Sequence, residues 1–200
     1  MSNIIGILNY GIAGNIRSID MAIKKAGGTV KIINHRDDFI GISKLVIPGV
    51  GSFNDTIREL NKNNLFKILK EKINTIPTLG ICLGMHILAK VGYEHGKSEG
   101  LNIFDSKVRL LNINSKIPHV GFNQIKVIKT NKLLYGLENE EFYFMHSYEF
   151  ICDYSISSIT NYCGYDIISS INKGNVYGVQ FHPEKSKEQG IKLFKNFINL

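Results

Sequence analysis

The sequence predicts an α/β fold, with a mostly parallel central sheet flanked by helices and an antiparallel β extension. Short apolar runs alternate with helical patterns in the first half, which is typical of a parallel sheet covered on both faces. Strand-like segments follow one another in the second half, with little helix between them. No internal repeat, low-complexity run or Pro/Gly/Ser-rich linker interrupts the 200 residues, so we expect one domain over 1–200.

The first-half elements alternate in type along the chain. Apolar runs predict buried strands at residues 4–9, 29–34, 44–47 and 78–81. Apolar residues at helical spacing predict a helix from Ile16 to Ala26, which Gly27 ends. The same spacing predicts a longer helical stretch from Ile57 to Ile73, which ends before Pro77.

The second half is rich in strand patterns and closes with a helix. The strand-like segments are 108–113, 122–128, 142–145, 155–162, 166–171 and 176–181. Helical spacing of Ile191, Phe194, Phe197 and Ile198 predicts the last element.

Composition and charge exclude several classes of protein. The 24 basic and 17 acidic residues give a net charge of +7, but the lysines are scattered, which does not indicate a nucleic-acid surface. No apolar run approaches the roughly 18 residues of a membrane span, and the start lacks the basic region of a signal peptide. We therefore expect a cytoplasmic protein. Three cysteines without paired spacing predict neither a disulfide framework nor a metal site, and no cofactor is expected.

The most informative stretch is Gly80-Ile81-Cys82-Leu83-Gly84, where a predicted buried strand runs into a helix. This is the cysteine form of the nucleophile elbow, in which a sharp strand-to-helix turn exposes the nucleophile. Glycines two residues away on each side remove side chains that would crowd the strained turn. The amide of Leu83 is then a candidate oxyanion donor. The alternative is a buried cysteine in a glycine-rich turn, and we interpret Cys152 and Cys163 as core or strand residues.

A thiolate nucleophile needs a base and a group that orients the base. His182 ends an apolar strand, Pro183 turns the chain there, and Glu184 can face the same side as His182. The segment Pro48-Gly49-Val50-Gly51 also follows a predicted parallel strand, at the end of the sheet where ligands bind. Val50 or Gly51 is a candidate second oxyanion donor there, and the alternative is an ordinary turn.

Several strings in the chain resemble a known family. Gly-Ile-Cys-Leu-Gly-Met at 80–85, Gly-Val-Gln-Phe-His-Pro-Glu-Lys-Ser at 178–186 and Pro-Gly-Val-Gly at 48–51 resemble class I (triad) glutamine amidotransferases, which have a flavodoxin-like fold. Other strings are similar to the HisH-type glutaminase subunit of imidazole glycerol phosphate synthase. They are Asn-Tyr-Gly at 9–11 with Gly-Asn at 14–15, Lys-Ile-Pro-His-Val-Gly at 116–121 and Tyr-Phe-Met-His-Ser-Tyr at 143–148.

The resemblance implies a role for each site residue. Cys82 would attack the side-chain amide of glutamine to form a thioester, His182 would carry the proton, and Glu184 would orient His182. An oxyanion hole would come from Val50, Gly51 and Leu83. Glutamine would be held by Gly49, His86, Glu94, Ser147 and Tyr148. For Glu94 the alternative is an exposed loop carboxylate.

The resemblance also implies a partner. Ammonia would pass, within a heterodimer, to a (β/α)8-barrel cyclase of HisF-like type that makes imidazole glycerol phosphate and AICAR for histidine biosynthesis. The face that meets the barrel would carry Tyr10, Asn15, Tyr148 and Lys185. One alternative is a diverged copy that supplies ammonia to a sugar amidotransferase of surface polysaccharide synthesis. Less favoured are a non-catalytic binding subunit and a cysteine hydrolase that needs no partner.

The sequence departs from the family pattern in three places. His86 stands where glutamine is usual, and it would either frame the glutamine pocket or be a partly exposed helix residue. Phe122 replaces a tryptophan and loses the indole N–H donor. The segment 10–15 carries one residue more than usual, near Ile12 and Ala13.

Overall fold

The computed structural model describes residues 3–11 and 15–200. The extra residue near Ile12 and Ala13, and Gly14 beside it, lie outside the described residues. The first half contains alternating strands and helices, as the sequence predicts. They are β1 (Ile4–Leu8), α1 (Ile16–Lys25), β2 (Thr29–Ile33), β3 (Lys44–Ile47), α2 (Phe53–Lys62), α3 (Phe66–Ile73), β4 (Thr78–Ile81) and α4 (Leu83–His86). A short 3-10 helix spans Arg36–Phe39.

The second half is mainly strands. They are β5 (Ala89–Gly92), β6 (Ser98–Glu99), β7 (Phe104–Leu110), β8 (His119–Gln124), β9 (Lys126–Val127), β10 (Glu141–His146), β11 (Tyr148–Ile151), β12 (Ile156–Tyr162), β13 (Tyr165–Lys173) and β14 (Val176–Val179). A 3-10 turn at Pro183–Lys185 leads into the last helix, α5 (Lys187–Ile198).

The central sheet of the described chain has eight strands in the order β2-β1-β3-β4-β14-β13-β12-β9. Strands β2, β1, β3, β4 and β14 are parallel to their neighbours in this series, whereas β13, β12 and β9 add an antiparallel edge. Two smaller sheets, β11-β7-β5-β6 and β10-β8, complete the extension. The predicted architecture is confirmed.

Each face of the central sheet has its own hydrophobic core. On one face, α2 and α3 bury residues such as Phe53, Leu60 and Leu69. On the other, α1 and α5 bury Ile23 and Phe194 among others. None of the helices in the described residues is both long enough and apolar enough to cross a membrane.

The helical stretch predicted from Ile57 to Ile73 is wrong in one respect, because it consists of two helices. The backbone of Asn64 is left-handed, with φ 56°, and Leu65 N donates to Leu60 O. An asparagine tolerates this conformation, so the chain turns there while both helices keep their apolar faces on the sheet.

Candidate active site

Three neighbouring parallel strands, β3, β4 and β14, end at one edge of the sheet, and the site lies there. The segment Pro48–Gly51 follows β3, Cys82 follows β4, and His182 comes three residues after β14. The strands are in register, with Ile81 opposite Val179 and Ile47 opposite Gly80. Segments far apart in the chain therefore meet at the carboxyl end of the sheet, where ligands bind in folds of this class.

Cys82 lies on a strained turn, as the sequence predicts. Its φ is 51° and its ψ is −108°, a conformation that is uncommon for a residue with a side chain. Cys82 N donates to Val179 O, at 2.7 Å, and Cys82 O accepts from the amides of Met85 and His86, which fixes the turn. The helix that follows is a single turn, Leu83–His86.

The glycines around Cys82 are required by close backbone contacts. A Cβ on Gly84 would lie 2.0 Å from Ile47 O, and one on Gly80 would lie 2.5 Å from Gly84 O. A Cβ on Gly49 would lie 2.3 Å from Gly84 N. The turn after β4 therefore packs directly against the end of β3, which brings the 48–51 segment beside the sulfur.

His182 and Glu184 form a buried pair in which His182 Nδ1 and Glu184 Oε1 are 2.8 Å apart. Glu184 Oε1 also accepts from Asn15 Nδ2, at 2.8 Å. His182 N donates to Tyr143 O, and Ser186 Oγ donates to His182 O. The imidazole is therefore held by its backbone, by a carboxylate and, through that carboxylate, by an amide.

The electrostatics of this pair favour a charged imidazole. Burial lowers the pKa of His182, but the negative charge of Cys82 and the carboxylate of Glu184 outweigh it and raise the pKa to about 10. Burial raises the pKa of Glu184, but the contacts with His182 and Asn15 outweigh it and lower the pKa. His182 Nε2 is buried and has no hydrogen-bond partner of good geometry among the described residues, and the nearby Cys82 is one of the groups that raise the pKa of His182.

Cys82 and His182 line one pocket of about 290 Å³, which is small for a ligand site. Every residue predicted for the oxyanion hole or for glutamine binding also lines it. These are Gly49, Val50, Gly51, Leu83, His86, Glu94, Ser147 and Tyr148. The structure thus brings together the predicted base and nucleophile with all the predicted substrate-binding residues.

His86 is buried and Glu94 is partly buried. His86 is 3% exposed, which excludes a partly exposed helix residue, and burial lowers its pKa to about 4. Glu94 is half-buried; its Oε2 accepts from Phe53 N at the start of α2, and burial raises its pKa. A freely exposed loop carboxylate is therefore excluded.

Two residues predicted for the partner face point inward instead. Tyr10 is fully buried and donates its hydroxyl to Pro48 O, at 3.0 Å. Asn15 is 6% exposed because its amide pairs with Glu184. Tyr148 is partly buried and Lys185 is exposed, so those two side chains stay available to a partner.

The sequence interpretation missed four residues at the site. Gln180 is fully buried, with Nε2 3.6 Å from Cys82 Sγ. Met145 O lies 3.9 Å from the same sulfur, and His146 and Pro118 line the pocket. Gln180 precedes His182 by two residues, and the alternation of a strand was the signal that places both on one face.

The other two cysteines lie away from the site. Cys152 is buried, as predicted, whereas Cys163 is exposed. The prediction for Cys163 is wrong because it occupies the turn between β12 and β13, with φ 54°. Among residues 3–11 and 15–200, no group of His, Cys, Asp and Glu side chains is arranged to hold a metal ion.

Comparison with known proteins identifies the family that this chain resembles. The family model of class I glutamine amidotransferases matches residues 9–200. The imidazole glycerol phosphate synthase subunit HisH of Caldanaerobacter subterraneus subsp. tengcongensis is 42% identical over 200 residues, covering 96% of each chain. The subunit named HisH 1 of Campylobacter jejuni is 37% identical, covering 98% of this chain and all of its own.

Solved structures support the fold. The structure of PurLQS from Thermotoga maritima superposes with a TM-score of 0.78 at 18% identity and covers 100% of this chain and 99% of its own. A crystal structure described as a glutamine amidotransferase gives a TM-score of 0.76 at 17% identity, with 98% and 99% covered. At these identities the likeness concerns the architecture alone.

Proposed function

The chain belongs to the class I glutamine amidotransferase family, and from this premise we propose that it is the glutamine-hydrolysing subunit of an imidazole glycerol phosphate synthase. The observation that carries the proposal is the meeting of Cys82 with the His182–Glu184 pair in one small pocket at the ends of β4 and β14. A thiol beside an imidazole that a carboxylate orients is the arrangement of a nucleophile, a base and its positioning group.

The chemistry follows from this arrangement. Cys82 Sγ attacks the side-chain carbonyl carbon of glutamine, and His182 gives a proton to the departing ammonia. This leaves a γ-glutamyl thioester on the sulfur. His182 then takes a proton from water, which attacks the thioester and releases glutamate. The net reaction converts glutamine and water into glutamate and ammonia, and Glu184 keeps the ring aimed throughout.

The oxyanion and substrate contacts belong to the same proposal. We assign the oxyanion hole to the amides at Val50, Gly51 and Leu83, because these residues line the same pocket as Cys82. Gly49, His86, Glu94, Ser147 and Tyr148 line the rest of the pocket, and we assign them to glutamine binding. The half-buried carboxyl of Glu94, held at Phe53 N, suits the α-amino group of a bound amino acid.

We propose that the ammonia acceptor is a HisF-like (β/α)8-barrel subunit, bound as a heterodimer, that makes imidazole glycerol phosphate and AICAR. The two relatives named above are subunits of this synthase. We propose that the partner binds a surface formed by β8 and β10. This surface, called the docking patch, consists of the outward side chains Val120, Phe122, Tyr143 and Met145. Met145 also lines the pocket, so the patch is continuous with the mouth of the site.

Two lysines lie beside aromatic rings of the docking patch. Lys185 Nζ lies 5.4 Å from the ring centre of Tyr143, and Lys187 Nζ lies 5.2 Å from that of Phe122. We therefore expect a complementary acidic rim on the barrel.

The test mixes the chain with a cognate HisF-type cyclase subunit and measures glutamate release. We expect glutamate release to rise when the partner and its substrate are present, and the Cys82→Ser variant to release none. Free ammonia should still support synthesis by the complex that carries Cys82→Ser. Activity surviving in Cys82→Ser would refute the nucleophile. If only a sugar amidotransferase stimulated glutamate release, the proposed acceptor would be wrong, whereas the proposed hydrolysis of glutamine would still hold.

A further inference from the structure

Three buried side chains form a row that ends at the nucleophile. His86 Nε2 lies 2.7 Å from Gln180 Oε1, and Gln180 Nε2 lies 3.6 Å from Cys82 Sγ. The exposed fractions of His86, Gln180 and Cys82 are 3%, 0% and 7%. The row crosses from the short helix after β4 to the end of β14, so it joins the two segments that supply the sulfur and the base.

The chemistry of each group fixes the direction of the row. A thiolate only accepts hydrogen bonds, so the amide of Gln180 must present its NH₂ group to the sulfur. The carbonyl oxygen of Gln180 then faces His86 and accepts from an N–H there. With the amide turned over, its carbonyl oxygen would face the sulfur and disfavour the negative charge.

The protonation of His86 agrees with this direction. Burial lowers the pKa of His86 to about 4, so the ring is neutral near pH 7 and carries a single N–H. With the carbonyl oxygen of Gln180 facing His86, that hydrogen lies on Nε2, because only a donor can pair with Gln180 Oε1.

We infer that His86 and Gln180 are positioning residues that aim an amide N–H at Cys82 Sγ and stabilise the thiolate before glutamine binds. The inference rests on the proposed function, since it deepens the role of the same cysteine. Gln180 acts on the sulfur, and His86 acts through Gln180.

Other charged and titratable groups also act on this sulfur. His182 supplies positive charge from the segment after β14, and Tyr10 faces the sulfur from the loop after β1. His146, on β10, lies close enough for the positive charge of His182 to lower its pKa. A test of the row must therefore leave these groups unchanged and alter only Gln180 or His86.

The experiment measures the rate of alkylation of Cys82 by iodoacetamide in the isolated full-length chain, from pH 5 to pH 10, with mass spectrometry of the Cys82 peptide. Gln180→Met removes the donor at nearly constant size. We expect this variant to move the pH midpoint of alkylation upward by about 1 unit, since a hydrogen bond to a charged group is lost. His86→Leu should move the midpoint in the same direction by less.

The double variant distinguishes a row from two separate effects. If His86 acts through Gln180, the double variant has the midpoint of Gln180→Met alone. An additive shift, or an unchanged midpoint in a Gln180→Met protein that melts normally, overturns the inference. If Gln180→Met fails to fold, the pH profile of His86→Leu tests the inference instead, because this variant keeps the Gln180 donor. An unchanged midpoint in His86→Leu would then overturn the inference.

The controls separate this inference from the proposed function. His35→Gln changes an exposed histidine that does not line the pocket and should leave the midpoint unchanged. A wild-type Cys82 that reacts as slowly as buried Cys152 at every pH would contradict its role as a nucleophile, and the proposed function would fail. A reactive Cys82 that ignores Gln180 and His86 would overturn only the inference.

Discussion

The ring of His182 is held by contacts that differ in sequence range. Glu184 is two residues away, whereas Asn15, which holds Glu184, is 169 residues from it. Glu184 Oε2 is buried and has no hydrogen-bond partner among the described residues. Hydrogen bonds with Asn15 and His182 therefore offset the cost of burying the carboxylate of Glu184, and both reach the same oxygen, Oε1.

This pair predicts how stability depends on pH. The pKa of His182 rises from 6.5 to about 10 on folding, so its contribution to the free energy of unfolding is complete below about pH 6.5 and declines as the pH rises toward 10. The pKa of Glu184 is lowered from 4.5, so its contribution is present above pH 4.5 and is lost as the pH falls. In Glu184→Gln one source of the raised pKa is gone, and we expect a shallower alkaline decline.

Urea unfolding of the wild type and Glu184→Gln at intervals from pH 6 to pH 9 measures this difference. Comparing the two proteins removes the contribution of other alkaline groups, such as the lysines. Equal slopes in the two proteins would mean that the carboxylate does not stabilise the charged ring.

His86 has a second consequence at the residue scale, for substrate binding. Its ring lines the pocket and is fixed to Gln180, so it cannot turn toward a ligand. We expect His86→Gln to lower the KM for glutamine, because a flexible amide replaces a rigid ring in the pocket wall. Steady-state glutaminase assays with the partner bound measure this KM. An unchanged KM would show that position 86 does not frame the pocket, and the exposed His35→Gln variant is the control.

Among the elements, the packing of the elbow against β3 determines where the sulfur lies. Only glycine fits at position 84, because Ile47 O occupies the space of a Cβ. We expect Gly84→Ala to lower the free energy of unfolding by about 3 kcal/mol or more, since the obstacle is backbone that cannot move aside. Loss of glutaminase activity should accompany it.

The turn before β14 offers a matched control for Gly84→Ala. Gly174 has φ 56° but open space around the position of a Cβ. Gly174→Ala should therefore cost about 1–2 kcal/mol from backbone conformation alone. Urea unfolding at one pH compares the two, and equal costs would contradict a specific contact between the elbow and β3.

Most elements of the fold were predictable from local pattern. The strands at 44–47 and 78–81 have the predicted bounds, because continuous apolar runs bury them on both faces. Strands β5, β6 and β11 were not predicted. These strands are short and carry no clear periodic pattern. Strands β5 and β11 form because they pair with β7, and β6 forms because it pairs with β5.

For the molecule as a whole, the docking patch lies on a small sheet outside the main one. Phe122 is 42% exposed and packs edge-on against Tyr143, with ring centres 5.5 Å apart. We expect Phe122→Ala to weaken the heterodimer about 30-fold, as for a central aromatic anchor worth about 2 kcal/mol.

Calorimetric titration with the HisF-type subunit measures the effect of Phe122→Ala. Tyr135→Ala is the matched control, because Tyr135 is 76% exposed and lies outside the docking patch. Its affinity should equal that of the wild type. An affinity that falls equally in both variants would indicate a general effect on folding, and one that falls in neither would move the interface elsewhere.

The candidate reactive residues were predictable from local patterns, because the elbow glycines, Cys82 and the His182–Glu184 spacing form motifs within a few residues. Which side chains face inward depends on the packing of distant segments. Tyr10 and Asn15 lie in a segment that reads as a surface loop, yet Tyr10 donates to Pro48 O and Asn15 to Glu184. The Gln180 contact to Cys82 likewise exists only because β4 and β14 are neighbours. Such contacts join segments distant along the chain, and no local pattern encodes that distance.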